Sequence, residues 1–307
     1  MRHLISIDDL TDDDLHYLVE TSTRYAGADG AYGRPLEGDV VGVYFRRTST
    51  RTRTAFSAGA QRLGARIVTF GPDDLQTNTG ETSRDTGRVF ARMLDVLVAR
   101  TADDTAEMRG WAGQDRMAVI NAMSAEEHPT QAIADLTTLA CRFGRVEKLR
   151  VLYVGEGNNT AVAFALALSR FPGVELELRT PPGYGLPGDV LARARSHAER
   201  SGAAVLERHD MGELPADLNV VYTTRWQTTG TSKPDPSWRD AFAPFQVTTD
   251  LWRASPDAAF MHDLPAHRGE EVTAAVLDGP ASIAFDQAAN KMYSAMAVLD
   301  WCRRGVR

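Results

Sequence analysis

A chain of 307 residues, 43% hydrophobic and 24% charged, has the composition of a globular protein with about two domains. Its formal net charge of -7 argues against a nucleic-acid partner, because phosphate backbones attract clustered lysine and arginine side chains. No apolar run approaches the roughly 20 residues of a membrane-spanning helix, and the acidic amino terminus has no apolar signal core, so we expect a cytoplasmic protein without a membrane partner.

Helices and strands alternate along the first half of the chain. Apolar residues recur at helical spacing in some segments and run continuously through short segments that indicate buried strands. In chain order, the predicted elements are a helix at 7–26, a strand at 40–45, a helix at 54–65, a strand at 65–70, a helix at 82–94, a strand at 95–100, a helix at 104–113 and a strand at 117–122. This alternation predicts an α/β domain with a mostly parallel sheet.

The second half repeats the pattern. Its predicted elements are a helix at 128–144, a strand at 148–155, a helix at 160–171, a strand at 174–180, a helix at 188–202, strands at 216–225 and 258–265, and a helix at 287–302. We therefore predict two parallel-sheet α/β domains joined by interdomain helices. The first domain is placed at 1–135 and the second at 136–284, and residues 285–307 are expected to form a terminal helix that packs back on the first domain.

Hydroxyl and guanidinium side chains fill the segment between the first predicted strand and the helix after it. They are Ser49, Thr50, Arg51, Thr52 and Arg53. At such a junction, free backbone N–H groups and these side chains can converge on one anion, and a phosphate is the natural guest. A solvated helix start with surface arginines is the alternative. The segment is not a Walker loop, because the glycine and lysine pattern of that nucleotide site is missing.

Five motifs, in the same order along the chain, resemble those of the aspartate and ornithine carbamoyltransferase family. They are STRTR at 49–53, LVAR ending at Arg100, HPTQ at 128–131, GEGNN at 155–159 and HDLPAHRGEEV at 262–272. The resemblance spans essentially the whole chain. It implies a first domain that binds carbamoyl phosphate and a second that binds an amine acceptor.

The resemblance also implies roles for the carbamoyl phosphate site. Ser49, Thr50, Arg51 and Thr52 would hold the phosphate, Thr52, Arg100 and His128 would surround the carbonyl oxygen, and Gln131 would hold the carbamoyl amide. Amine attack turns that carbonyl into an oxyanion, which preorganised donors stabilise. The expected catalytic residues are therefore Arg51, Thr52, Arg100, His128 and Gln131. As alternatives, His128 is a helix cap before Pro129, and Arg100 is a surface residue.

Two further residues of this site follow from the family pattern. The family's active sites lie between subunits of a trimer, and Gln76 matches the residue that an ornithine-type neighbour contributes; a polar solvated loop is the alternative. Lys291 stands where the family has an arginine. Lysine keeps the charge but lacks the planar fork for bidentate binding, and it also fits as a solvated residue of the terminal helix.

The acceptor motifs depart from both branches of the family. Asn159 matches the asparagine that contacts the acceptor's carboxylate, with a loop-stabilising role as the alternative. In TTRWQTTG, Thr224 replaces the aspartate that grips the acceptor's ammonium group in ornithine-type enzymes, and Thr228 and Thr229 replace a Ser-Met pair. Arg225, with the glutamine two positions on, resembles the carboxylate-binding segment of aspartate-type enzymes.

Asp263 is the other departure. Ornithine-type enzymes have a cysteine here and aspartate-type enzymes a proline, and we assign Asp263 and its neighbour Leu264 to the acceptor site. A carboxylate at this position can orient the incoming amine and accept its proton. The alternative is a structural aspartate that pairs with Arg268 or His267.

These departures favour a carbamoyltransferase with a modified acceptor in specialised metabolism, such as a diamino acid or a diaminopropionyl side chain of a peptide. An ornithine carbamoyltransferase that makes citrulline and a catalytically silent binding homologue are the alternatives. No metal and no cofactor are expected, because carbamoyl phosphate supplies its own leaving group. The two cysteines, Cys141 and Cys302, lack both a disulfide framework and metal-ligand spacing.

Overall fold

The structure is a computed structural model that describes residues 2–228 and 231–303. The chain divides into two units, Met1–Cys141 with Ala289–Arg307, and Arg142–Ala288. Each unit has one sheet in which every strand pair is parallel, with helices along the connecting chain, so the predicted α/β fold class is confirmed. The domain limits at residues 135 and 284 remain predictions.

The first unit is built on a four-stranded sheet. Its strands are Val40–Phe45 (β1), Arg66–Phe70 (β2), Val96–Arg100 (β3) and Ala118–Asn121 (β4). They lie in the order β2-β1-β3-β4. The two central strands, β1 and β3, are apolar and buried over nearly their whole length, as parallel strands are when both faces of the sheet are covered.

Five helices begin in the same part of the chain. They are Asp12–Ala26 (α1), Arg51–Arg62 (α2), Ser83–Phe90 (α3), Ala106–Ala112 (α4) and Pro129–Phe143 (α5). A capping box formed by Thr11 and Asp14 starts α1. Because α2 begins three residues earlier than predicted, Thr52 and Arg53 lie in its first turn.

The second unit is built on a five-stranded sheet. Its strands are Arg150–Val154 (β5), Glu175–Arg179 (β6), Ala204–Arg208 (β7), Val220–Thr223 (β8) and Ala259–His262 (β9), in the order β7-β6-β5-β8-β9. The later helices are Asn159–Leu168 (α6), Gly188–Ser201 (α7), Trp238–Phe242 (α8), Ala274–Leu277 (α9) and Ala284–Arg303 (α10). Every residue of α6 is buried, which explains its apolar, alanine-rich sequence.

Three elements of this unit were missed by the prediction, and the four predicted strands are all shorter than predicted. The edge strand β7 alternates half-buried and exposed residues and so lacks a continuous apolar run. Helices α8 and α9 contain only five and four residues, too few for a helical period. Strand β8 ends at Thr223, so Thr224 and Arg225 lie in the loop beyond it. Of the helices that the structure describes, none has both the length and the apolar composition to cross a membrane.

The glycines between β5 and α6 are explained by close packing of the chain. Gly155 has a φ of 134°, a conformation that favours glycine. At Gly157 an added Cβ would lie 2.4 Å from the carbonyl carbon of Gly185 and 2.4 Å from the backbone nitrogen of Leu186. The Gly157 N–H also donates a hydrogen bond of 2.8 Å to the Tyr184 carbonyl oxygen. The motif therefore brings two loops of the second unit into direct backbone contact.

We expect Gly157→Ala to lower the free energy of unfolding by about 1–3 kcal/mol, the usual range for overpacking, because the neighbouring backbone cannot move aside easily. Urea unfolding followed by circular dichroism measures this change. Gly188→Ala is the matched control, since an added Cβ at Gly188 meets no atom within 4 Å. Equal stabilities of the two variants would show that the loop contact is not tight.

Candidate active site

The predicted phosphate-binding residues lie at the carboxyl edge of the first sheet. β1 ends at Phe45 and α2 begins at Arg51, so Ser49 and Thr50 occupy the connection. Thr50 is the cap residue of α2, and its side chain makes no capping hydrogen bond. Arg100, at the end of β3, is paired in register with Phe45. The strand order thus brings Arg100 to the same edge as the STRTR segment.

Four of the predicted residues converge in the first unit. Gln131, which is 1% exposed, accepts a hydrogen bond from the Lys291 ammonium group through Oε1. Burial lowers the pKa of His128 well below its ordinary value, and the positive charges of Lys291 and Arg100 lower it further. Lys291 is therefore a buried member of this cluster and not a solvated residue of the terminal helix.

His128 occupies the cap position before α5, where its backbone carbonyl accepts the Ala132 N–H at 3.3 Å, but its ring is not used as a cap. Its Nδ1 lies 3.4 Å from the Thr130 hydroxyl, and within the described part of the chain its ring accepts no hydrogen bond from a backbone N–H. A hydroxyl that donates to Nδ1 favours the tautomer with hydrogen on Nε2. This tautomer presents an N–H donor without a positive charge.

The loop before His128 is fixed by a residue that the sequence analysis missed. The Glu127 carboxylate accepts hydrogen bonds of 2.6 Å from the backbone N–H of Ile7 and 2.6 Å from the Ser6 hydroxyl. The Glu127 N–H donates to the Ser124 hydroxyl at 3.1 Å. Glu127 thus anchors the loop to the amino-terminal segment. The partners of its carboxylate lie 120 and 121 residues away in sequence, so no local pattern identifies them.

Gln76 is not brought into this cluster by the described contacts. It lies exposed on the 3-10 turn Gln76–Thr79, where its Oε1 accepts a hydrogen bond of 3.0 Å from the Thr79 hydroxyl. Within the residues that the structure describes, its side chain bonds to no other candidate residue. Its predicted role at a neighbouring subunit remains a prediction.

In the second unit, the two asparagines of GEGNN have different positions. Asn158 is the cap of α6, and its side-chain oxygen accepts hydrogen bonds from the N–H groups of Thr160 at 3.0 Å and Ala161 at 3.1 Å. Asn159 is the first residue of the helix and is 5% exposed. The capping role thus belongs to Asn158.

Thr224, in the loop after β8, is hydrogen-bonded to residues at the end of β5 and in the loop that follows it. Its hydroxyl accepts a hydrogen bond of 3.0 Å from the Asn158 side-chain amide and lies 3.1 Å from the Tyr153 hydroxyl. The single hydrogen of Tyr153 is used in a 2.6 Å bond to the carbonyl oxygen of Glu156, so Thr224 is the donor to Tyr153. Thr224 is neutral and 1% exposed, and its one hydrogen is already used.

The segment after Thr224 carries buried polar atoms without partners. These are Nε of Arg225, Nε1 of Trp226 and the Thr228 hydroxyl, for which the described residues supply no hydrogen bond. An unsatisfied buried polar group costs about 1–3 kcal/mol, so such a concentration is typical of a site that a ligand completes. Thr229, the other predicted residue of this segment, lies outside the described residues.

Asp263 has a partner that was not predicted. Its Oδ2 accepts a hydrogen bond of 3.0 Å from the Thr160 hydroxyl at the start of α6. Its Oδ1 lies 3.5 Å from Nδ1 of His262, but that nitrogen accepts the Leu264 N–H at 2.8 Å and so carries no hydrogen of its own. Leu264 is partly buried against the core of this unit.

The predicted structural partners of Asp263, Arg268 and His267, were wrong. The Arg268 guanidinium pairs with Asp278 at 2.6 Å and 3.0 Å, and His267 lies 3.7 Å from Glu270. Asp263 therefore lies beside the loop that opens α6, in the same unit as the other acceptor candidates.

Two family models match the chain. The model described as the aspartate/ornithine carbamoyltransferase carbamoyl-P binding domain matches residues 2–140, and the one described as the Asp/Orn binding domain matches residues 147–302. The chain belongs to the aspartate/ornithine carbamoyltransferase family. It is an enzyme, a carbamoyltransferase.

Comparison with individual proteins shows which branch of the family the chain is nearer to. The ornithine carbamoyltransferase of Caldicellulosiruptor saccharolyticus is 36% identical over 302 residues, 97% of each chain. That of Symbiobacterium thermophilum is 38% identical over 303 residues, 97% of this chain and 96% of the relative. The solved ornithine carbamoyltransferase from Pyrococcus furiosus is similar with a TM-score of 0.93 and 35% identity, covering 100% of this chain and 98% of that one. The chain therefore lies nearer the ornithine-type branch.

The lowered pKa of His128 predicts how stability and activity depend on pH. The unfolded chain takes up a proton at this residue near pH 6.5, and the folded protein does not. The free energy of unfolding should therefore fall as the pH drops below about 6.5, by up to about 1.4 kcal/mol per pH unit from this residue. Urea unfolding between pH 5 and 8 should show a shallower dependence for His128→Gln than for the wild type. Two results would contradict a neutral imidazole. One is the same dependence of the free energy of unfolding on pH in both proteins. The other is a loss of wild-type activity below about pH 6.5 that His128→Gln does not show.

Proposed function

We propose that the protein transfers the carbamoyl group of carbamoyl phosphate to the side-chain amine of ornithine, giving citrulline and phosphate. The observation that carries this proposal is the 36% and 38% identity to proteins named ornithine carbamoyltransferase, over 97% of this chain. These relatives favour ornithine over the specialised-metabolism acceptor that the divergent motifs had indicated.

In this proposal, the first unit binds carbamoyl phosphate. Ser49, Thr50, Arg51 and Thr52 hold the phosphate, because hydroxyl, guanidinium and helix-start N–H groups all favour an anion. The carbonyl oxygen is surrounded by Thr52, Arg100 and His128. The burial of Arg100 and His128 supports this role, since donors act more strongly in a site of low dielectric constant.

Lys291 and Gln131 complete the carbamoyl phosphate site. The Lys291 ammonium contributes positive charge, and its bond to Gln131 orients that amide. The Gln131 side-chain nitrogen donates one hydrogen to Asp135 at 2.7 Å and keeps a second, which is available to the carbamoyl group. A charge and an amide fixed in this way support turnover rather than a silent binding homologue.

The transfer of the carbamoyl group needs no catalytic group beyond the residues of the carbamoyl phosphate site. The amine nitrogen attacks the carbonyl carbon, the carbonyl oxygen gains negative charge, and Arg100 with neutral His128 stabilises that charge. The bond between the carbonyl carbon and the phosphate oxygen then breaks. Phosphate leaves with the electron pair and takes the proton that the amine loses, and the ureido product remains.

The second unit binds the acceptor in this proposal. Asn159 and Arg225 hold the ornithine carboxylate, and the unpartnered Nε of Arg225 supports this role. Thr228 and Thr229 keep the acceptor-binding role that the family resemblance implies for them. Asp263, with Leu264 beside it, orients the attacking amine, and the bond from Thr160 fixes the direction of its carboxylate.

Gln76 belongs to a shared site in this proposal. The family resemblance implies a homotrimer in which Gln76 of one subunit reaches the carbamoyl phosphate of the next. The exposure of Gln76 on its 3-10 turn supports an intermolecular role.

A different amine acceptor is the second candidate, and Thr224 is the observation that favours it. A free α-ammonium group prefers an opposite charge nearby, and Thr224 is neutral, with its hydroxyl committed to Tyr153 and Asn158. An acceptor without that ammonium group would not need the missing charge.

An assay of product formation separates the two candidates. Purified protein with carbamoyl phosphate is supplied with ornithine, lysine, 2,4-diaminobutyrate, 2,3-diaminopropionate, aspartate or putrescine, and ureido products are measured by mass spectrometry. We expect citrulline, with kcat/KM for ornithine roughly 10- to 200-fold above that for chains one methylene longer or shorter. Arg100→Gln is the control for contaminating activity and should lower kcat about 100- to 1,000-fold. Product from another amine and none from ornithine would contradict the proposal.

A further inference from the structure

A buried ion pair lies beside the candidate acceptor residues in the second unit. Glu156, in the loop before α6, accepts a hydrogen bond from the Lys233 ammonium group through Oε1. The side chains are only 18% and 5% exposed, respectively. Burial raises the pKa of the Glu156 carboxyl, and Lys233 opposes this rise. The sequence motifs gave no sign of the pair, because 77 residues separate its members.

Lys233 is held by aromatic rings as well as by the carboxylate. Its Nζ lies 4.9 Å from the ring centroid of Tyr184, 5.3 Å from that of Trp238 and 5.0 Å from that of Phe242. The negative faces of such rings attract a cation. Lys233 is thus fixed on the Oε1 side of the Glu156 carboxylate.

The other oxygen of Glu156 has no donor. Oε2 is buried, and nothing in the described ranges 2–228 and 231–303 donates a hydrogen bond to it. A buried carboxylate oxygen without a partner is unfavourable, and the favourable partner is a positively charged N–H group. Oε2 is therefore suited to accept a hydrogen bond from a ligand's ammonium group.

Glu156 is also linked to the position where the family's ammonium-binding aspartate is missing. The Tyr153 hydroxyl donates to the Glu156 carbonyl oxygen at 2.6 Å and contacts the Thr224 hydroxyl at 3.1 Å. Thr224 has no charge and no hydrogen left to donate. Glu156 thus places a carboxylate in the same hydrogen-bonded loop assembly as the neutral Thr224.

We propose that Glu156 is a specificity-determining residue whose Oε2 accepts a hydrogen bond from the α-ammonium group of ornithine. The negative charge that this group requires comes from the loop before α6 instead of from position 224. Lys233 engages Oε1 and so leaves Oε2 directed to the acceptor. This inference rests on ornithine being the acceptor.

The test compares ornithine with 5-aminopentanoate, which has the same reacting amine and the carboxylate but no α-ammonium group. We expect Glu156→Gln to lower kcat/KM for ornithine roughly 10- to 100-fold, the effect of losing a hydrogen bond to a charged group. The loss should appear as a higher KM for ornithine with the KM for carbamoyl phosphate unchanged. kcat/KM for 5-aminopentanoate should change by no more than about twofold. Where its turnover is too slow, its inhibition constant against ornithine supplies the same comparison.

Two variants separate recognition from folding. Lys233→Met removes the ion pair but keeps the carboxylate, and it should retain most of the preference for ornithine over 5-aminopentanoate. The double variant Glu156→Gln with Lys233→Met leaves no buried charge unpaired, and it should lose the preference as fully as Glu156→Gln alone. If Glu156→Gln alone does not fold, the double variant is used for the comparison of the two substrates.

The outcomes are distinct. The inference is overturned if Glu156→Gln lowers kcat/KM equally for both substrates, or if Lys233→Met loses the preference for ornithine as fully as Glu156→Gln does. Either result would show that the ion pair is only structural. The proposed function would still stand, because the wild type turns over ornithine. Absence of citrulline with the wild type would overturn the proposed function, and the inference with it.

Discussion

Parallel pairing of the strands is the constraint on which the candidate site of each unit depends. In a parallel sheet all carboxyl ends meet at one edge, so residues that follow different strands become neighbours however far apart they lie in sequence. In the first unit this edge collects the segment after β1, Arg100 at the end of β3 and His128 in the loop after β4. In the second unit it collects the GEGNN loop after β5, Thr224 after β8 and Asp263 after β9.

The candidate sites of the two units differ in electrostatic character. The first unit gathers buried cations, Arg100 and Lys291, around an imidazole that they help to keep neutral, an arrangement suited to a phosphorylated substrate. The second unit pairs its buried charges, Glu156 with Lys233, and leaves single polar atoms without partners. Such paired charges with open hydrogen-bonding positions suit a zwitterionic amino acid, which carries both signs of charge.

The sequence predicted the features that depend on local patterns. Continuous apolar runs located β1 and β3, and these strands located Arg100 at the end of β3 and the STRTR segment in the connection after β1. The position of Lys291 beside Gln131 could also be predicted, because the family resemblance assigned both residues to one site. Short or half-exposed elements such as β7 carry too weak a period to be recognised.

Long-range pairings were not predictable. Glu127 anchors the His128 loop through the distant Ser6 and Ile7, and Glu156 contacts Lys233, which lies 77 residues further along the chain. The partner of Asp263 was missed for a related reason. Arg268 is near it in sequence and was the natural choice, but the fold gives Arg268 to Asp278 and brings Thr160 to Asp263.

Calorimetry with L-2-aminopentanoate tests the central claim, that the second unit recognises an α-amino acid head group, most directly. This compound has the head group and carbon chain of ornithine but no side-chain amine, so it binds without reacting. It is titrated into protein saturated with a carbamoyl phosphate analogue whose bridging oxygen is replaced by methylene. The account predicts saturable binding of the L-enantiomer and much weaker binding of the D-enantiomer. Absence of binding by both, or equal binding by both, would contradict it.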